Sequence, residues 1–274
     1  MSKKLLNILF IGDIVGDPGL SLLETFLPGF IKKYEADFVI ANGENSHEGK
    51  GINRDIIRKL YDLGVHVITG GNHSFAKWKV FSYMKNDGNI LRPLNYPKGN
   101  PGYGYVIYDI PEMNRKIGVL NLQGRTFMSA IDDPFSTADW AIDRIKEETD
   151  LIFVDFHAEA TAEKMALAWH LDGKISVFVG THTHIPTNDA RILPNGTGYI
   201  SDVGMTGSFD SVLGMDKETS MKRFMLGTPH RYKLADGNNH ICGIQAKVDL
   251  DTNECVHIEP FVYPTLNNSK LEEE

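Results

Sequence analysis

The sequence predicts an α/β fold, one domain of layered sheets and helices over 1–266 with a polar tail at 267–274. Apolar runs of strand length alternate with stretches of helical period. The 274 residues suit one large α/β domain or two small ones. No internal repeat, low-complexity tract or linker divides them.

Residues 6–11 read as a buried first strand. The apolar N-terminus behind Lys3-Lys4 resembles a signal peptide only loosely, because Asn7 and Asp13 interrupt it and no small-residue cleavage site follows. Asp17 before Pro18 reads as a helix N-cap with proline at the first helical position. Leu23, Phe26, Leu27, Phe30, Ile31 and Tyr34 keep a helical stripe, in which Pro28 should kink or restart the helix. Residues 38–41 form the second strand. Asn53 caps the next helix, Ile52 and Ile57 are spaced for a hydrophobic staple, and Gly64 ends it. Residues 65–69 form the third strand, with a helix from Ser74.

Residues 103–110 and 116–122 pattern as a hairpin about 111–115. A polar loop, 123–137, ends at Thr137 as the cap of a helix over 140–148. Strand 151–156, helix 161–171 and strand 175–179 continue the alternation. Residues 190–202 give two strands about the Pro194-Asn195-Gly196 turn. Residues 205–240 are irregular with some helix, and strands 241–248 and 256–262 close the fold. The tail at 267–274 is expected to fray.

The hydrophobic fraction of 42% is ordinary for a globular fold, and the formal net charge is −8. No basic stripe is visible, so a long nucleic acid is not expected as partner, whereas a small phosphate ester drawn in by metal cations is compatible. No apolar run approaches the ~20 residues that cross a bilayer, so no membrane partner is expected. Cys242 and Cys255 form no C-x-x-C pair and read as core or surface thiols, which suits a cytoplasmic setting.

Five short motifs stand at the ends of five apolar runs: Gly12-Asp13, Gly43-Glu44-Asn45, Gly71-Asn72-His73, Phe156-His157 and Gly180-Thr181-His182-Thr183-His184. In strand–helix alternation, ligands collect beyond the carboxyl ends of the strands. A strand continuing through His182 and His184 would turn both imidazoles to one face as a chelate. Each motif alone is as readily a turn, a cap or a satisfied core histidine; five at equivalent positions point to metal. The donors are oxygen and nitrogen without thiolate, which suits Fe, Mn or Zn. Two such ions about 3.5–4 Å apart hold a bridging hydroxide nucleophile and clamp an in-line displacement at phosphorus. Glu44 has the two oxygens a bridge needs. His73 is the candidate to protonate the leaving alkoxide.

The ordered series of motifs resembles the calcineurin-like metallophosphoesterases and, more closely, the YmdB-like bacterial cyclic-nucleotide phosphodiesterases. Further matching segments are Gly12-Asp13-Ile14-Val15-Gly16, Ala41-Asn42-Gly43-Glu44-Asn45, Thr69-Gly70-Gly71-Asn72-His73, Asp155-Phe156-His157-Ala158-Glu159 and Ser201-Asp202-Val203-Gly204-Met205-Thr206-Gly207. The resemblance implies a four-layer α/β/β/α sandwich with a dinuclear, iron-type centre. It implies Asp13 and His184 on the first metal, Glu44 bridging, and Asn72, His157 and His182 on the second. Asn45 would orient the phosphate or contact the first ion, and His73 would act near the leaving group. The substrate it implies is a small phosphodiester such as 2',3'-cyclic AMP. The wider superfamily's Asp-x-His is Asp13-Ile14-Val15 here, and its bridging aspartate is Glu44; both departures match the narrower family.

Arg125, on the polar loop, could grip a phosphate bidentately or form an ordinary ion pair. His47 reads as a solvated loop residue, His66 as structural and His170 as surface, while His230, His240 and His257 match no ligand pattern. The segment 207–237 reads as a lid or a subunit contact, which leaves a homo-oligomer open. Three alternatives stay open: a phosphomonoesterase or nucleotidase on the same centre, an amidohydrolase, and a non-catalytic nucleotide-binding regulator.

Overall fold

A computed structural model describes residues 4–266. The tail at 267–274 lies outside the described residues. The strands are β1 (Leu5–Ile11), β2 (Asp13–Ile14), β3 (Phe38–Asn42), β4 (Val67–Thr69), β5 (Tyr105–Ile110), β6 (Arg115–Gln123), β7 (Ile152–His157), β8 (Val177–Thr181), β9 (Arg191–Ile192), β10 (Gly198–Ile200), β11 (Met205–Ser208), β12 (Asn239–Asp249) and β13 (Cys255–Tyr263). The helices are α1 (Gly16–Lys33), α2 (Arg54–Asp62), α3 (Phe81–Asn86), α4 (Pro134–Ile145), α5 (Thr161–Leu171) and α6 (Lys217–Leu226).

The strands make two sheets. One runs β2-β11-β12-β1-β3-β4, with β13 also paired to β12; the other runs β5-β6-β7-β8-β10-β9. Side-chain alternation explains how they stack. Leu6, Ile8 and Phe10 of β1 join Phe153 of β7 and Val177 and Val179 of β8 in a core between the sheets. The rings of Phe10 and Phe153 lie 5.4 Å apart there. Leu9 and Ile11 face the other way, against Leu23, Leu27 and Phe30 of α1 and Ile57 and Leu60 of α2. Val154, Phe156 and Phe178 pack against Ala141, Ile142 and Ile145 of α4 and Leu167 and Leu171 of α5. The result is the four-layer α/β/β/α sandwich. Central strands buried on both faces must be continuously apolar, which is why they stand out in the sequence.

Asn53 caps α2, accepting from Ile56 N–H at 2.9 Å, and Ile52 and Ile57 share one apolar cluster. Four expectations need correction. Helix α1 starts at Gly16, and Val15 caps it without a side-chain bond; Asp17 sits exposed in the first turn, where its charge still favours the helix N-terminus. Pro28 does not restart the helix, since α1 runs through it from Gly16 to Lys33; it and Glu24 lie on the solvent face, where the carbonyl it leaves unpaired meets water. Ser74 starts no helix: its hydroxyl accepts from Gly71 N–H at 3.0 Å and closes a turn, and α3 begins only at Phe81. The cap of α4 is Asp133, not Thr137; Asp133 accepts from Ser136 N–H at 2.8 Å, with Pro134 at the first helical position. The irregular segment also holds a strand, β11, which pairs with β2 and β12.

Candidate metal centre

β1, β3 and β4 run parallel in one sheet, as do β6, β7 and β8 in the other, so the loops leaving their carboxyl ends gather at one edge of the sandwich. The motif residues meet there. His157, the last residue of β7, is fully buried. Its Nε2 lies 2.9 Å from Glu44 Oε1, 2.9 Å from Asn72 Oδ1 and 3.0 Å from His182 Nδ1. Beside them, Asn45 Nδ2 donates to Glu44 Oε1 at 3.3 Å and lies 3.1 Å from His184 Nε2. Asp13 Oδ2 accepts from His182 N–H at 3.1 Å. Asp13 Oδ1 is buried with no hydrogen-bond partner, and it lies 3.8 Å from His157 Nδ1. Gly71 leaves room for this packing: a Cβ there would meet His157 Cδ2 at 2.3 Å and Glu44 Oε2 at 2.4 Å.

These contacts fit a cation. One imidazole nitrogen can engage one hydrogen bond, yet three heteroatoms converge on His157 Nε2. Glu44, His157 and His182 each offer a ligand atom within 4.8 Å of the others. A buried carboxylate oxygen without a partner is costly, and Asp13 Oδ1 is such an atom. The buried groups differ in how firmly they hold a proton. Burial, outweighing nearby His157 and reinforced by Glu44 and Asp202, pushes the Asp13 carboxyl up to about 8. Burial also opposes the Glu44 carboxylate, but His157 and His73 outweigh it and hold Glu44 at about 2. Burial opposes charge on His157 as well, yet Glu44, Asp13 and Asp155 raise it to about 9. Burial and His157 push His182 down to about 3.

Each imidazole is oriented through its other nitrogen. Thr181 Oγ1–H donates to Asp155 Oδ1 at 2.7 Å, so Thr181 Oγ1 must accept from His157 Nδ1–H at 2.9 Å. That places a proton on Nδ1 and aims Nε2 at the cluster. Asp155 Oδ2 also accepts from Asn42 Nδ2 at 3.1 Å and Thr69 Oγ1 at 2.5 Å, which ties the two sheets together. His182 Nε2 lies 3.1 Å from Glu159 Oε2, and His184 Nδ1–H donates to the Leu213 carbonyl at 3.1 Å. Thr181→Val preserves shape and removes the relay. The expected result is metal affinity roughly 10–100-fold weaker, read by chelator competition; unchanged affinity would show that the relay does not position His157.

β8 ends at Thr181, so His182 and His184 do not continue a strand. They lie in a turn with φ of 103° and 65°. Asp202 holds it, accepting from Thr183 N–H at 3.0 Å, Thr183 Oγ1 at 2.8 Å and Lys164 Nζ at 2.7 Å. The histidines meet the cluster by left-handed backbone, not by strand period.

A cleft of about 660 Å³ opens over Glu44, Asn45, His73, His182 and His184. His73 is half-buried; its N–H donates to Glu44 Oε2 at 2.9 Å, and burial lowers its imidazole pKa, opposed by Glu44 and reinforced by Lys50. Arg125 is not brought to the cleft. Its guanidinium pairs with Asp133 at 2.6 Å on the surface, the ion-pair alternative. Sequence reading assigned nothing to Thr181, Asp155, Glu159 or the Lys164–Asp202 pair. Asp155 had a signal, since period two places it on the face of His157; the Lys164–Asp202 contact had none.

The family model for YmdB-like protein matches residues 9–261. The chain is 46% identical over 254 residues to the 2',3'-cyclic-nucleotide 2'-phosphodiesterase of Bacillus subtilis (strain 168), covering 93% of this chain and 96% of that one. It is similar to the crystal structure of a hypothetical protein from Thermus thermophilus, with a TM-score of 0.88 and 40% identity over 94% of this chain and 99% of that one. It also resembles the structure of a novel phosphatase from Mycoplasma pneumoniae, with a TM-score of 0.89 and 33% identity over 96% of this chain and 94% of that one. With its motif residues gathered at one strand-end cluster and these matches spanning nearly its whole length, the chain belongs to the YmdB-like family.

Proposed function

We propose that this phosphoric-ester hydrolase is a metal-dependent phosphodiesterase acting on small phosphodiesters, with 2',3'-cyclic nucleotides as the favoured class. The relative named as a 2',3'-cyclic-nucleotide 2'-phosphodiesterase supports that class. The observation that carries the metal reading is the convergence of Glu44 Oε1, Asn72 Oδ1 and His182 Nδ1 on His157 Nε2 within 3.0 Å. Asn72, His157 and His182 would hold one cation, and Asp13 and His184 the other, with Asn45 beside it. Glu44 lies between the groups, 2.9 Å from His157 and 3.3 Å from Asn45, and would serve both. The oxygen and nitrogen donors suit iron, with manganese or zinc as alternatives. When bound, the two cations would neutralise the phosphoryl oxygens and activate water for in-line attack, inverting phosphorus without a covalent enzyme intermediate.

The protein groups divide the remaining work. Asn45 orients the phosphate from the cleft floor. His73 stands beside Glu44, where its protonated form would deliver the proton to the leaving oxygen. The domain spans 1–266, and the free buried thiols of Cys242 and Cys255 support a reducing, cytoplasmic setting.

The test compares bis-p-nitrophenyl phosphate, p-nitrophenyl phosphate and 2',3'-cyclic AMP on reduced, metal-replete protein. The diesters are expected to give the higher kcat/KM. A strong preference for the monoester assigns the same residues to a phosphomonoesterase or nucleotidase. Nucleotide binding without turnover assigns a regulator.

A further inference from the structure

Resting on that reading, we propose that α6 carries a nucleobase subsite, in which the substrate's base stacks on Phe224 while its phosphate sits at the histidine cluster. Ser220, Arg223, Phe224 and Gly227 line the same cleft as His73 and His184. Ser220, Arg223 and Phe224 share one face of α6, and Gly227 is the left-handed residue that caps its end. Ser220 is buried and anchors that face. Phe224 is 83% exposed and has no aromatic partner among the described residues. An unpaired aromatic ring bordering a cleft with a mostly apolar lining suits a π-stacking base, because every base has an apolar face to bury.

Two further features match the rest of a nucleotide. Lys50 and Arg223 border the cleft, and neither has a carboxylate within ion-pair distance among the described residues. Both are available to an anionic phosphate. Lys50 Nζ lies 5.7 Å from the ring centroid of Tyr232, which rests against Gly49: a Cβ at Gly49 would meet Tyr232 Cε1 at 2.7 Å. The wall is also joined to the candidate metal-binding end, since Leu213 borders the same cleft and its carbonyl accepts from His184 Nδ1–H. A volume of about 660 Å³ accommodates a mononucleotide. The chemistry selects a base-bearing cyclic phosphodiester over a short aliphatic one.

The test measures kcat/KM for 2',3'-cyclic AMP and for the baseless diester glycerol 1,2-cyclic phosphate, with Phe224→Ala and Phe224→Trp, together with calorimetric affinity for adenosine 3'-monophosphate. Phe224→Ala is expected to lower the ratio of the two kcat/KM values roughly tenfold or more and to weaken the monophosphate similarly. Phe224→Trp is expected to restore both. An unchanged ratio and affinity in Phe224→Ala overturns the subsite. So does a change in sedimentation mass with affinity retained, which assigns the helix face to a second copy. Monophosphate binding that depends on Phe224 in a protein cleaving neither diester keeps the subsite and removes the phosphodiesterase reading. No monophosphate binding by the parent protein overturns the subsite.

Discussion

Glu44→Gln is expected to lower kcat/KM on the order of 10³-fold or more while the fold is retained. Glu44 is 2% exposed, with one oxygen 2.9 Å from His157 Nε2 and the other accepting from His73 N–H at 2.9 Å. Glutamine keeps the length and shape but replaces one oxygen with an amide NH₂ that cannot donate a lone pair. It also removes the negative charge between two groups that would each hold a cation. Two divalent charges about 3.5–4 Å apart repel strongly when nothing of opposite sign lies between them. Steady-state kinetics with 2',3'-cyclic AMP, beside circular dichroism of parent and variant, checks this. Turnover close to that of the parent would show that Glu44 is not the shared ligand.

Lys164→Met is expected to destabilise the protein by about 3–5 kcal/mol. Lys164 reaches inward from α5, only 1% exposed, and its ammonium lies 2.7 Å from Asp202 Oδ2. Removing the ammonium leaves the Asp202 carboxylate buried without its counter-charge. The same oxygen accepts from Thr183, and Asp202 Oδ1 accepts from Gly204 N–H at 2.8 Å. Asp202 thus holds the strained backbone that carries His182 and His184, and turnover is expected to fall with stability. Urea denaturation at pH 7 gives the stability change. A shift below about 0.5 kcal/mol would place the variant among ordinary surface substitutions and show that the pair does not support the turn.

Much of this fold is legible in the chain because central strands of a four-layer sandwich are apolar on both faces. β1, β3, β7 and β8 announce themselves as apolar runs, broken internally only at Asn7 and Asp155, and polar residues mark where each ends. The ligand candidates lie at those ends, so their meeting follows from topology once the strands are parallel. Boundaries were less legible where backbone geometry replaced side-chain signals. Val15 caps α1 without using its side chain, and Asp133 competes with Thr137 for one helix start. The two imidazoles of the His-x-His motif do meet the cluster, but not by the strand geometry expected of them, since period two says nothing of a left-handed turn.

The groups that position the imidazoles were hidden for a different reason. Asp155 meets Asn42 and Thr69 across sequence separations of 113 and 86 residues. His184 depends on a backbone carbonyl, at Leu213, which has no side-chain signature. Arg125 illustrates the converse. A guanidinium on a polar loop satisfies a phosphate or a neighbouring aspartate equally well, and only the fold shows Asp133 beside it. Phe224 lay in a segment without a clear period, and its position on the cleft appears only when α6 is seen against the strand ends.

The decisive measurement is the metal content of reductively purified protein, by elemental analysis, for the parent chain and for Glu44→Gln. Close to two equivalents of iron, manganese or zinc per chain, falling in the variant together with turnover, is the expected result. A parent chain that turns over 2',3'-cyclic AMP with no bound metal and no loss to chelators would contradict it.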